Sequence, residues 1–374
     1  MKILALGPTP PPYHGVAVFL RQLADAPLPH GWELEILDTA DRRDGSNLGR
    51  WDPENLRLGF SHLAELAARC QRLRPDIVYL PISQNVPAFL RDALFIAQAR
   101  MMGSRVVVHL HGGYFRKLYD NSAAWFREVV RSALACVDGA IVLSPEFLPI
   151  FDGLVHPDHV FVVANGCPDP GVWERRAARG ENPVPADGGT ILFMSTLTPT
   201  KGIVKLVESL KVLRERRPNV RLRVAGRWAD ELARAECETF IARESLAANV
   251  EFLGNVDGAA KNEFLSGGDV FCLPTFYPYE GQPLVLIEAM AAGLPVVSTR
   301  HAAIASTVPE GEQGAGWLVS PEVDAGELAQ TLDAALGDPR IRGRGRFARE
   351  HYLRNYTLAA CHARLWEVFQ ACCR

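Results

Sequence analysis

Two glutamates eight positions apart, Glu280 and Glu288, stand in the stretch EGQPLVLIE, where a turn signal runs into an apolar helix. Glu280 follows a strand and precedes Gly281. Glu288 falls just over one turn inside the helix, among Leu284, Leu286, Ile287 and Met290. A carboxylate on so apolar a helix is costly unless a hydroxyl or a cation meets it. Pro283 suits the first helical turn, and the N–H groups of Leu284 and Val285 would then offer an anion site. Upstream, the stretch LFMSTLTPTKG over 192–202 places Lys201 between a strand and a helix. A lysine there adds its charge to the pull of a helix N-terminus on phosphate. The stretch VVVHLHGG over 106–113 ends a strand in a Gly pair that lets a ligand approach, with His111 just before it. His109 points the same way if the strand continues. Each of these has a plainer reading: solvated carboxylates, a surface lysine, a core histidine. It is the context of strand, glycine and helix that favours binding.

The elements that must position these residues follow from the apolar pattern. Short runs at 3–6, 34–37, 77–80, 106–110, 140–143 and 160–164 read as buried strands. Between them, 16–25, 55–73, 88–102 and 123–136 read as helices. Runs apolar on both faces and separated by helical lengths are what a parallel sheet covered on both sides requires. Residues 165–189 are dense in Pro, Gly, Asn and Asp, which suits a linker. The alternation then restarts, with strands at 190–194, 222–225, 250–253, 270–273 and 296–298. Helices at 202–216, 229–246 and 284–292 lie between them. A last amphipathic helix covers 358–371. Two doubly wound units would present a cleft, with the carboxyl ends of both sheets facing it.

Composition narrows the field. The chain has 374 residues, 40 Lys+Arg against 43 Asp+Glu, and a formal charge of -3, which does not read as a nucleic-acid binder. Eight cysteines make no C-x-x-C pair, so a zinc or redox motif is not expected and cytoplasmic thiols are. Lys2 is followed by too short an apolar run for a signal peptide, and no window of about 18 apolar residues is free of charges or breakers. The loop PTPPPYHG over 8–15 holds one Gly, Gly15, and no dinucleotide fingerprint, which argues against a nicotinamide cofactor.

The segment from Glu280 to Glu288 resembles the E-x7-E motif of the group 1 family of retaining glycosyltransferases, and the run AMAAGLPVVS over 289–298 is similar to that family's continuation. The resemblance implies a GT-B fold with two Rossmann-like domains. These would be an acceptor-side domain over 1–168, a linker over 169–186, and a nucleotide-sugar domain over 187–355. A terminal helix over 356–374 would cross back to the first domain. It also implies transfer of a hexose from a nucleotide diphosphate sugar, UDP favoured and GDP open, to a hydroxyl of a saccharide or lipid-linked glycan. In the family the first Glu binds donor-sugar hydroxyls and the second the ribose, which fall on Glu280 and Glu288. The His before the Gly pair, here His111, reaches the sugar near the bond being broken. The phosphate segment carries an Arg and a Lys; the Lys falls on Lys201, but Thr196 stands where the Arg is expected. Arg227, after Ala225 and Gly226, is the candidate substitute, and Gly15 falls where the family has a phosphate-cradling Gly pair.

No D-x-D pair occurs in a plausible loop, so no metal and no further cofactor is expected. Lys201, helix N-termini and backbone amides would offset the leaving charge instead. The alternatives are an inactive GT-B nucleotide-sugar or glycan binding protein, for which Thr196 is the best support, and a nucleotide-sugar epimerase. Two weaker signals remain. Arg340, Arg342, Arg344, Arg346 and Arg349 read as a solvated turn and helix. Residues 91–131, with seven basic and three acidic side chains among aromatics, read either as ordinary surface or as a peripheral membrane contact for a lipid-linked acceptor.

Overall fold

The computed structural model describes residues 1–11, 15–42, 53–178 and 182–374, and the side chains from 57 onward in the helix Pro53–Leu73. Pro12, Tyr13 and His14 of the first loop lie outside the described residues. The chain forms two compact units. The first is Met1–Asn165 with Leu358–Arg374, and the second is Gly166–Thr357.

The first unit holds strands β1 (Lys2–Gly7), β2 (Glu33–Asp38), β3 (Ile77–Pro81), β4 (Arg105–Leu110), β5 (Gly139–Val142) and β6 (Val160–Val162). They form one parallel sheet in the order β2-β1-β3-β4-β5-β6. The chain steps one way from β1 to β2 and the other way from β3 onward, so the strand order reverses between β1 and β3. Ile3, Leu4 and Ala5 are fully buried although successive side chains point to opposite faces, because helices cover both sides. The helix Gly15–Ala24 supplies Phe19, Leu20 and Leu23 to one face. The helix Leu358–Cys372 supplies Leu365, Trp366 and Phe369 to the same cluster, against Ile3, Tyr79 and Val107.

The second unit repeats the plan with β7 (Gly188–Met194), β8 (Asn219–Ala225), β9 (Val250–Phe252), β10 (Val270–Leu273), β11 (Val296–Thr299) and β12 (Gly316–Val319). Their order is β12-β11-β10-β7-β8-β9, parallel throughout, with the reversal between β7 and β10.

Three features differ from the sequence reading. Residues 169–178, expected within a linker, pack into the second unit through the helix Trp173–Ala177. There buried Arg176 donates to the Gly268 carbonyl at 2.7 Å, and Asp169 pairs with Arg349. Pro283 caps the helix Leu284–Ala291 rather than sitting in its first turn. The basic run forms the helix Ile341–Asn355 and is only partly solvated. Arg344 lies buried over the Trp317 ring and donates to the Gly311 carbonyl; buried Arg349 donates to the Ala291 carbonyl. Their long apolar stems fill space while each guanidinium finds a carbonyl.

Candidate active site

In an open parallel sheet, ligands meet the crevice at the carboxyl ends of strands where the order reverses. In the second unit that place is the exit of β7 beside the exit of β10. Lys201 comes from the first exit and Glu280 from the second. Beyond β7, residues 195–197 lie against the continuation of β8. The Ser195 N–H donates to the Ala225 carbonyl at 3.1 Å and the Leu197 N–H to the Arg227 carbonyl at 2.9 Å. Gly226 makes this approach feasible: its φ is +139°, and a Cβ there would fall 1.8 Å from the Ser195 oxygen. Thr196 and Arg227 are thereby brought onto adjoining backbone, both exposed. A 3-10 turn, Pro199–Lys201, then leads to Gly202 at φ +85° and the helix Ile203–Arg216. A Cβ at Gly202 would lie 2.3 Å from the Pro274 oxygen, so glycine lets the two strand exits close on each other.

That closure brings Lys201 and Glu280 together. Lys201 Nζ donates to Glu280 Oε2 at 2.6 Å, and the Thr275 hydroxyl reaches the same oxygen at 3.0 Å. The ammonium also stands 4.5 Å from the centroid of the Tyr277 ring. With side chains only 17% and 9% exposed, each charge needs the other, since a lone buried ion is strongly disfavoured. Leu284 and Val285 open the next helix, half-buried, and first-turn N–H groups have no acceptor within their own helix. Glu288, one turn on, accepts from Lys261 Nζ at 2.5 Å. Its cost on an apolar helix is thus met by a cation. The site therefore combines two ammonium–carboxylate pairs, a helix N-terminus and an exposed guanidinium, which suits a polyol carrying a diphosphate.

Lys261, Thr275 and Tyr277 did not stand out in the sequence. Thr275 had a signal, a polar residue two positions after a buried strand. Lys261 had none, because a lysine 27 residues before Glu288 looks like any surface lysine.

In the first unit His111 follows β4 and is half-buried. Its ring lies 4.0 Å from that of His109, tilted by 32°, with Phe19 edge-on to both. His109 is fully buried and its Nδ1 meets the Tyr79 hydroxyl at 2.7 Å. Burial first, and the neighbouring His111 second, hold His109 well below the usual histidine range, so it is neutral. Gly15 opens the helix Gly15–Ala24; a Cβ there would meet nothing within 4 Å. The chain itself therefore does not demand glycine at that position. Among residues 91–131, Leu94, Met101 and Trp125 are exposed. Among the described residues no helix is long and apolar enough to cross a membrane.

Residues 174–354 match the family model described as glycosyl transferases group 1, and residues 13–169 match glycosyltransferase family 4. A phosphatidyl-myo-inositol mannosyltransferase of Mycobacterium tuberculosis is 31% identical over 188 residues, 50% of this chain and 48% of that protein. A GDP-mannose:cellobiosyl-diphosphopolyprenol alpha-mannosyltransferase of Xanthomonas campestris is 28% identical over 214 residues, 56% of this chain and 53% of that protein. The match thus spans about half the length of these relatives. The solved structure of Anabaena HepE in complex with UDP superposes with a TM-score of 0.74 at 19% identity, covering 99% of this chain and 100% of that one. The fold is GT-B: two Rossmann-like, doubly wound parallel-sheet units.

Proposed function

We propose that this chain is a retaining, metal-independent glycosyltransferase. It would move a hexose from a nucleotide diphosphate sugar to a hydroxyl of a saccharide or lipid-linked glycan. The observation that carries the reading is the Lys201–Glu280 pair, 2.6 Å apart where the strand order of the second unit reverses, with the helix bearing Glu288 directly after it. Glu280 binds hydroxyls of the donor sugar and Glu288 those of the ribose. Lys201, the N–H groups of Leu284 and Val285, and Arg227 receive the diphosphate. Arg227 takes the part of the Arg that Thr196 replaces; its backbone bond to Leu197 beside Thr196 supports that role. For His111 the role is the one the family resemblance implies, contact with the donor sugar. Gly15 contributes an open loop end.

In the reaction the bond from the anomeric carbon to the leaving phosphate oxygen breaks. A bond to the acceptor oxygen forms on the same face, and the acceptor proton passes to that phosphate oxygen. Charge develops on the diphosphate, and fixed cations and amides aimed at it lower the barrier. A carboxylate already bonded to an ammonium and a hydroxyl is a weakened nucleophile, which favours a binding role for Glu280. Among the similar proteins are a GDP-mannose-dependent mannosyltransferase and a structure in complex with UDP, so both bases enter the test. The exposed Leu94, Met101 and Trp125 among basic residues support a peripheral membrane contact that serves a lipid-linked acceptor.

The test is thermal shift against UDP, GDP, ADP and TDP, followed by turnover with the sugars of the bases that bind. Transfer or slow hydrolysis is expected. Tight binding without turnover would instead favour an inactive binding protein, the reading Thr196 supports. No binding of any nucleotide would overturn both.

A further inference from the structure

The loop that carries Glu280 is tied along its length to the end of β11 and the segment after it. The Thr299 hydroxyl donates to the Thr275 carbonyl at 2.5 Å, and His301 Nε2 to the Tyr277 carbonyl at 2.7 Å. The Ala303 N–H donates to the Gly281 carbonyl at 3.2 Å, and Gln282 Nε2 to the Thr307 hydroxyl at 2.9 Å. A carbonyl can only accept, so the His301 proton on this bond sits at Nε2. The Tyr277 carbonyl takes a second bond, 3.0 Å long, from the N–H of Glu280 itself. One oxygen therefore joins the imidazole to the backbone of the carboxylate residue. Between these ties Ala302 has φ +52°, a left-handed conformation that a residue with a Cβ adopts only at a cost. The bonds made by its neighbours His301 and Ala303 hold it there.

We propose that His301 is a positioning residue for Glu280: its imidazole fixes the 277–280 turn and so the direction from which the carboxylate meets Lys201 and the donor sugar. Three of the ties fasten the two ends of the loop. His301 alone shares its acceptor with the Glu280 backbone. The carboxylate has bonds of its own, to Lys201 and Thr275, but these act on the end of the side chain; the Tyr277 N–H meets the Thr275 hydroxyl at 3.2 Å at the start of the turn, and His301 holds its carbonyl side. Without His301 the turn can open while the rest of the loop stays attached.

The experiment uses the full chain with His301→Ala and His301→Gln; glutamine keeps an N–H donor and alanine has none. The first readout is hydrogen exchange of the Glu280 amide. In His301→Ala it should quicken about tenfold, the equilibrium effect of losing one hydrogen bond. Exchange in β10 should stay as in the parent, and His301→Gln should recover most of the protection. The second readout rests on the glycosyl-transfer reading: kcat should fall about tenfold in the alanine variant, with the donor KM within about twofold, and glutamine should restore it. Unchanged exchange at Glu280, or glutamine no better than alanine, would overturn the proposal. So would kcat and KM left as in the parent. Should His301→Ala unfold, His301→Phe, which fills the space without the donor, takes its place with the same outcomes. A parent that turns over no nucleotide sugar defeats the functional reading, and the exchange readout then decides this one alone.

Discussion

Replacing Lys201 with alanine separates the structural and chemical parts of its role. Its ammonium is the only charged partner of Glu280 among the described residues. With Lys201 gone, a carboxylate whose side chain is 9% exposed keeps only the Thr275 hydroxyl at 3.0 Å. Removing one member of a buried pair costs about 3–5 kcal/mol, and so little exposure leaves little solvent to screen it. Removing both charges, as in Lys201→Met with Glu280→Gln, should return most of that loss because no lone ion remains. Turnover should follow a different rule. Loss of one preorganised donor to developing charge costs about a hundredfold or more, and the double variant should be no better than the single one. Calorimetry gives the loss of stability, and a coupled assay for released nucleotide diphosphate gives kcat. Two results would refute the reasoning: a Lys201→Ala protein as active as the parent, or a double variant as unstable as the single.

The division of roles between the glutamates predicts that Glu288→Gln weakens free-nucleotide binding by roughly tenfold to a hundredfold, the scale of a charged hydrogen bond. Glu280→Gln should leave that affinity near the parent's and lower kcat; isothermal titration showing equal losses would contradict this. Arg227→Ala should impair turnover, and Thr196→Arg in that background should restore part of it; a Thr196→Arg chain without any gain would remove the substitution argument. Activity should survive excess EDTA, and loss that only Mg or Mn reverses would sink metal independence. Acid should destabilise the first unit. Burial holds His109 well below its ordinary value and also lowers His62 and His362, whereas the unfolded chain takes up protons below about pH 6.5. Stability is therefore fully present above that pH and is lost as pH falls, by about 1.4 kcal/mol per pH unit for each proton taken up. His109→Leu should reduce the uptake on unfolding at pH 5 by about one proton, and an unchanged uptake would refute the assignment.

The strands were legible because burial on both faces demands unbroken apolar runs. Ile3 to Leu6 and Val106 to Leu110 could hardly be anything else. β12 was not legible: Gly316, Trp317, Leu318 and Val319 form a short run after a glycine-rich turn, and their pairing with β11 is a tertiary fact. In the helix Ile341–Asn355 it was the burial that stayed hidden, for a related reason. Its arginines at 344 and 349 look solvated until the fold offers them buried carbonyls. Proline and glycine made 169–186 read as linker, whereas Trp173 packs against Gly293, where a Cβ would lie 2.4 Å from the indole ring. In the candidate site, Glu280, Glu288 and Lys201 were readable because charge at a strand–helix junction is conspicuous. Lys261 and His301 were not, since each gains its meaning only from a carboxylate or a carbonyl on another segment.

The helix Leu358–Cys372 has a consequence for synthesis on the ribosome. It fills the core of the first unit with Leu365, Trp366 and Phe369, yet the rest of that unit has emerged by Asn165. At about 5–20 residues per second, roughly ten to forty seconds of translation separate the two. Throughout that interval the sheet face bearing Ile3, Tyr79 and Val107 lacks its final cover, a binding surface for chaperones. The second unit, made later, has all its residues first. A stall just past Thr357 would release a chain with one finished unit and one open core.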